Sequence, residues 1–521
     1  MFGHRGQFLV PPLLSFSPTV RRSSPFFGAA LSGALLAFSF PPHGHPATAW
    51  VALTPLLIAL FGARSSTVGF ALGVTTGVVH FAGLLPWLTT VMMEFGGLPL
   101  PAGVALNGLL VAYLALFPGA FGAIFVLLCR RYGESALWIA GPVWLSTELG
   151  RLWLLGGFPW ELLGYSQTAV LPIAQLASLF GVHGVTVLVV FVNGVLTLLA
   201  VGQTGRRGMA LTVGVAVLVA VVSFGIWRLS DEQLLRAGTP LRVGLVQGNV
   251  PQEDKWDPAH RMSIVQRYLE LSRRSAAAGA ELVVWPESAT PFSFETHSDG
   301  GLVRGLTRET GIHLLFGSTR FESYPTRRMF NAAFVLNPDG ETAAIYDKIH
   351  LVPFGEYVPF RSLLFFAAPL VDTVADLTPG VDPVTLPVGS HLVSAAICYE
   401  IIYPSLVRES VREGSQLLTT ITNDAWYGRS GAPQQHFQQA RMRAIEQGRY
   451  LVRAANTGIS GVVDPYGRVV ARSALFETTT INQEVRLLAD LTVYGKIGDI
   501  LAYASALATL GLVFLTWRAK R

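Results

Sequence analysis

Leu392-Val393-Ser394-Ala395-Ala396-Ile397-Cys398-Tyr399-Glu400 is an apolar run that stops on a thiol, after which the chain turns into a helix near Pro404. A strand that presents a side chain at its end and passes into a helix is the unit of α/β architecture, where chemistry gathers at strand ends. The surrounding sequence repeats it. Residues 391–397 read as the strand of that run, 241–250, 281–285, 312–318, 331–336 and 417–422 as further strands, and 261–278, 302–310, 403–413 and 434–447 as helices. Two more polar residues occupy comparable places: Glu287 closes Val283-Val284-Trp285-Pro286-Glu287, and Lys348 lies in Tyr346-Asp347-Lys348-Ile349-His350.

Outside this block the composition changes. The 521 residues are 51% hydrophobic and 14% charged, beyond what a soluble chain carries, so the excess belongs in lipid. A spanning helix needs about 20 mainly apolar residues. Seven such runs lie within 25–230, at 25–40, 47–61, 67–90, 101–129, 136–155, 173–201 and 209–227, and an eighth follows at 497–517. The expected organisation is an extension over 1–24, seven membrane helices over 25–230, a soluble domain over 240–495, the eighth helix over 497–517 and a tail over 518–521.

Orientation follows from the short loops. Arg21, Arg22, Arg64, Arg130, Arg131, Arg206, Arg207, Arg518, Lys520 and Arg521 fall on one side, and the alternate connections hold few or no cations. The positive-inside rule then places the soluble domain outside the cytoplasm. The formal net charge of +5 is spread over helix ends, so nucleic acid is not an expected partner. Cys129 and Cys398 are the two cysteines, and this topology keeps them apart. His43 and His45 lack a third ligand, so no metal is expected.

Glu287, Lys348 and Cys398 have ordinary readings singly: a solvated acid, a surface lysine, a buried inert thiol. Together they supply the parts of an acyl-transfer site. A carboxylate takes the thiol proton, an ammonium steadies the thiolate, and the lysine with the backbone N–H of Tyr399 holds an oxyanion.

In that order and within those local sequences, the three residues resemble the Glu-Lys-Cys triad of the nitrilase, or carbon-nitrogen hydrolase, superfamily. Nearly the whole chain resembles, more narrowly, the apolipoprotein N-acyltransferase family. The blocks that carry this are Gly157-Phe158-Pro159-Trp160, Gly164-Tyr165-Ser166-Gln167, Lys255-Trp256-Asp257-Pro258, Pro353-Phe354-Gly355-Glu356-Tyr357-Val358-Pro359, Cys398-Tyr399-Glu400 and Asn423-Asp424-Ala425-Trp426-Tyr427-Gly428. The resemblance implies an α-β-β-α sandwich beside an eight-helix membrane bundle, with no metal or other cofactor. It makes Cys398 the nucleophile, Glu287 the base and Lys348 the oxyanion stabiliser, supported by Glu356, Tyr399 and Glu400, with Trp256 and Trp426 lining the substrate mouth. It implies a phospholipid acyl donor, a thioester on Cys398, and an acceptor that is the α-amine of the diacylglyceryl-modified N-terminal cysteine of an apolipoprotein. It implies a bacterial inner membrane, with the catalytic domain in the periplasm. The apolar stretch 363–371 is expected either as a lid dipping into lipid or as core.

Two other functions fit parts of the sequence. The triad also suits a membrane-tethered amidase using water as acceptor, although a soluble substrate needs neither the helices nor the apolar stretch. A transporter with an external binding domain would show repeated halves, and none is visible. Glu148 and Arg151, three apart on one helix, are expected to pair and to anchor the 158–160 loop.

Overall fold

The computed structural model describes residues 24–322, 328–357 and 376–519. The 363–371 stretch and most of the N-terminal extension lie outside them.

Residues 239–487 carry two packed sheets. The first comprises β1 (Thr239–Gln247), β2 (Leu282–Val284), β3 (His313–Glu322), β4 (Arg328–Leu336), β5 (Thr342–Asp347) and β13 (Thr479–Leu487). The second comprises β8 (Ala396–Ile397), β9 (Leu418–Thr422), β10 (Leu451–Ala455), β11 (Gly461–Val463) and β12 (Val469–Arg472). Between them in the chain, β6 (Leu386–Val388) and β7 (His391–Val393) form a separate hairpin. The first sheet has the order β13-β1-β2-β3-β4-β5, and the second β12-β11-β10-β9-β8.

Alternation along the strands explains the layering. The inward residues of β1 are Leu241, Val243 and Leu245, which join Ile397, Ile421, Val452 and Val462 of the second sheet in one core. Val246, Val283, Leu314 and Phe316 of the first sheet point the other way, against Ile264, Tyr268 and Leu269 of the Arg261–Ala277 helix. On the far side of the second sheet, Leu418 and Leu451 pack on Phe437, Ala440 and Ile445 of the Ala432–Gln447 helix. The result is the α-β-β-α sandwich expected from the sequence. Parallel pairs β1–β2 and β2–β3 run the ends of those strands one way in the first sheet, as β8–β9 and β9–β10 do in the second, and the Asn423 amide just after β9 donates to Glu287 just after β2.

Among the described residues, five stretches are long and apolar enough to cross a membrane: Ser66–Leu84, Leu100–Gly156, Ala177–Val201, Thr204–Arg236 and Ile500–Arg518. These five stretches differ in number from the eight spans expected for two reasons. First, Pro25–Ala37 is short, and the run at 47–61 divides into Pro46–Ala52 and Thr54–Phe61. At that break Asn193 Oδ1 accepts from the amides of Leu53 (2.9 Å) and Thr54 (3.0 Å), satisfying donors a broken helix leaves free. Second, the 57-residue stretch Leu100–Gly156 reverses at Gly133, where φ is +58°. Its arms lie antiparallel, with Phe121 against Trp144 (5.0 Å) and the Tyr113 hydroxyl donating to Leu154 O (2.7 Å).

The Ala432–Gln447 helix joins sandwich to bundle. Trp160 Nε1 donates to Gln435 Oε1 (2.8 Å), and the Val182 amide donates to Glu446 Oε1 (2.8 Å). Both contacts are buried, so the helical layer over the second sheet is also the roof of the bundle.

Candidate active site

Glu287 follows β2 after Pro286, which cannot continue the ladder. Its Oε1 accepts from Asn331 Nδ2 (2.7 Å) and Lys348 Nζ (3.3 Å), and its Oε2 from the Asn423 amide (2.9 Å). Lys348 directly follows β5, is buried, and also donates to Glu356 Oε1 at 2.9 Å. Glu356 is held in turn by Asn331 Nδ2 (2.9 Å) and the Val352 amide (2.8 Å). One ammonium therefore bridges two carboxylates, and one amide side chain braces both.

Cys398 follows β8 and begins a short 3-10 helix, Cys398–Ile402, with φ at +53°. A left-handed conformation is costly for a residue with a Cβ and is retained only where the surroundings enforce it. Glu400 is one enforcer. Its Oε2 accepts from the Ile397 amide (2.7 Å), and its Oε1 from the Tyr346 hydroxyl (2.8 Å) and the amides of Ile349 (2.7 Å) and His350 (3.1 Å). Glu400 thus ties the thiol's turn to the segment following Lys348.

Electrostatics link the three groups. Burial pushes the Glu287 carboxyl up, but Lys348, Asn331, Lys255 and the Asn423 amide together hold it below its ordinary value. Burial favours a neutral Lys348, yet Glu356 and Glu287 outweigh that and keep it charged. Burial and then the Glu287 charge push the Cys398 thiol up, and Lys348 only partly offsets them. The site therefore favours the charged form of Glu287 and the neutral form of the Cys398 thiol.

Tyr399 is buried, with its ring 5.4 Å from Tyr403 and 6.3 Å from Phe158 of the bundle loop. Trp256 is 51% exposed, and Trp426 is 37% exposed with an edge contact to Phe95 at 5.0 Å. These two rings stand at the surface.

Several groups at the site were not singled out from the sequence. Asn331 sits in the middle of β4, where its signal was a polar residue inside Phe330-Asn331-Ala332-Ala333-Phe334. Lys255 is buried and donates to Glu287 O at 3.1 Å. The burial of its ammonium lowers its pKa to about 8 despite the nearby Glu287. Asp424, His436 and Arg453 form a fully enclosed network beneath the thiol turn.

In the bundle, Glu148 and Arg151 do not form the expected ion pair. Glu148 accepts from the Leu163 amide (2.9 Å) and the Thr186 hydroxyl (3.1 Å), and Arg151 Nη2 donates to Trp160 O (2.5 Å). Each grips the 158–163 segment separately, so they anchor the loop without pairing.

Residues 242–489 match the carbon-nitrogen hydrolase family, and residues 32–195 match the apolipoprotein N-acyltransferase N-terminal domain. The apolipoprotein N-acyltransferase of Geobacter metallireducens is 41% identical, over 94% of this chain and 95% of that protein. That of Methylococcus capsulatus is 36% identical, over 93% and 95%. Among solved structures, a nitrilase-superfamily protein from Saccharomyces cerevisiae is similar at 23% identity and a TM-score of 0.38, covering 47% of this chain and 90% of that one. An amidase from Nesterenkonia sp. is similar at 22% identity and a TM-score of 0.38, covering 51% and 97%. The two acyltransferases align with this chain along nearly their full length, across both the helical region and the sandwich, and on that ground the chain belongs to the apolipoprotein N-acyltransferase family.

Proposed function

We propose that the protein transfers a fatty acyl group from a membrane phospholipid, through a thioester on Cys398, to the α-amine of a diacylated N-terminal cysteine on an apolipoprotein. The observation that carries this reading is the buried Lys348 ammonium bridging Glu287 and Glu356, with the Cys398 thiol in an enforced left-handed turn.

Because the thiol is held protonated, deprotonation accompanies attack. Glu287 takes the Cys398 proton as sulfur bonds to the ester carbonyl carbon, and the carbonyl π electrons move onto oxygen. Lys348 and the Tyr399 N–H stabilise that oxyanion. Collapse breaks the acyl C–O bond, and Glu287 returns the proton to the leaving lysophospholipid oxygen. In the second half the acceptor amine attacks the thioester and gives its proton to Glu287, and the thiolate leaves and is reprotonated. Glu356 holds Lys348, Glu400 holds the turn, and Trp256 and Trp426 line the mouth.

Both substrates are membrane-anchored, which gives a sandwich of hydrolase type a reason to be joined to apolar helices. The similarity to bacterial acyltransferases supports a bacterial inner membrane, and the cation distribution supports a catalytic domain on its outer, periplasmic side.

The test is product analysis with purified protein, phospholipid and a diacylated lipopeptide. The expected products are triacylated peptide and lysophospholipid in equal amounts. Free fatty acid as the only acyl product would mean water is the acceptor and would refute transfer.

A further inference from the structure

The Cys398 carbonyl accepts a hydrogen bond from His436 Nε2 at 3.1 Å. A carbonyl offers no hydrogen, so Nε2 must carry one. On the opposite edge of the ring, Nδ1 faces Arg453 Nη2 at 3.0 Å and Asp424 Oδ1 at 3.2 Å. Asp424 is itself fixed by Arg453 Nη2 (2.8 Å) and the Thr422 hydroxyl (2.8 Å). Trp160 lies over the imidazole at 5.7 Å, and Tyr427 meets it edge-on at 6.0 Å. His436, Asp424 and Arg453 are all buried, so the ring has one available orientation.

The carbonyl that His436 holds belongs to the same peptide group as the Tyr399 N–H. That group is planar and trans, so fixing its oxygen fixes the direction of its hydrogen. A peptide whose carbonyl accepts a hydrogen bond also becomes a stronger donor at its N–H. The Tyr399 amide lies in the first turn of the Cys398–Ile402 helix, where a helix has no internal acceptor for it. The left-handed φ of Cys398 rotates this peptide away from the line of β8, so it needs a fixed partner on its carbonyl side.

We propose that His436, braced by Asp424 and Arg453, is a positioning residue that aims and polarises the Cys398–Tyr399 peptide as an oxyanion donor. This rests on the reading of Cys398 as nucleophile and makes a separable claim: His436 serves the tetrahedral step and not the reactivity of the thiol itself. Two reactions of the same sulfur distinguish these. Acylation by phospholipid builds an oxyanion. Alkylation by iodoacetamide forms a C–S bond as the C–I bond breaks, the thiol proton passing to Glu287 or buffer, and builds none.

The experiment compares both rates at Cys398 in the full-length protein for His436→Leu, His436→Gln and His436→Asn. Glutamine carries an N–H at the reach of Nε2, and asparagine is one methylene shorter. His436→Leu is expected to slow acylation about 100-fold, through kcat with KM for phospholipid unchanged, while alkylation keeps the wild-type rate. His436→Gln restores most of the loss and His436→Asn does not. Equal losses in acylation and alkylation, or unchanged acylation, would overturn the proposal. If the leucine variant does not fold, equal acylation by the glutamine and asparagine variants overturns it as well. A wild-type protein that takes no acyl group on Cys398 sinks the nucleophile reading and this one with it; labelled wild type with indifferent variants sinks this one alone.

Discussion

Two buried glutamates make the same kind of contacts in two regions but keep different neighbours. Glu287 in the sandwich and Glu148 in the bundle are both nearly inaccessible, at 5% and 3% exposure, and each accepts from a backbone amide and from side chains. Glu148 accepts from Leu163 and Thr186, groups that close one loop against one helix. Glu287 shares Lys348 with a second carboxylate, and its charge reaches a thiol. Burial and hydrogen bonding are common to the anchor and the proposed base; a cation and a thiol near the same carboxylate are what separate them.

The comparison breaks most directly at the two carboxylates. Glu287→Gln is expected to cut single-turnover acylation by up to about 10⁴-fold. Glu148→Leu leaves buried donors unpaired at a cost of about 1–3 kcal/mol, seen as a lower unfolding temperature with a near wild-type rate per folded molecule. If the two variants lose acylation equally, the distinction fails. Lys348→Met removes the shared cation and is expected to lower kcat about 10²–10³-fold, read in the same assay.

Acid sharpens the contrast. Burial opposes ionisation of Asp424, but Arg453 and His436 hold its carboxyl well below the ordinary 3.8. A depressed pKa contributes stability that is present above the unfolded value and lost as pH falls toward the folded one. The thermal stability of wild type should therefore fall as pH drops below 3.8, and Asp424→Asn should flatten that slope. The smallest effect is expected at Lys255, one of the groups holding Glu287 down. Lys255→Met removes that cation, so the Glu287 pKa rises and the acid limb of the acylation pH profile should move to higher pH.

The sandwich was legible where alternation was strong. β1, β2, β3, β4 and β9 and the four amphipathic helices lie within a few residues of their expected places. β10, β12 and β13 were not, because Arg453 interrupts the first and the other two are short or polar edge strands with no apolar rhythm. The single strand expected at 391–397 is divided at Ser394-Ala395, leaving β7 in the hairpin and β8 in the second sheet. In the bundle, apolar runs were visible but their breaks were not, since Asn193 heals one of them from 139 residues away in sequence. Glu287, Lys348 and Cys398 were visible because each stands beside a recognisable block; Asn331 and His436 were not, because only the fold carries β4 and the Ala432–Gln447 helix to them.

The most direct test of the central claim is the mass of the Cys398 peptide after incubation of purified protein with phospholipid. The account predicts a gain of one fatty acyl group that hydroxylamine removes and that Cys398→Ala abolishes. An unmodified Cys398 peptide, or acyl label that persists in Cys398→Ala, would contradict it.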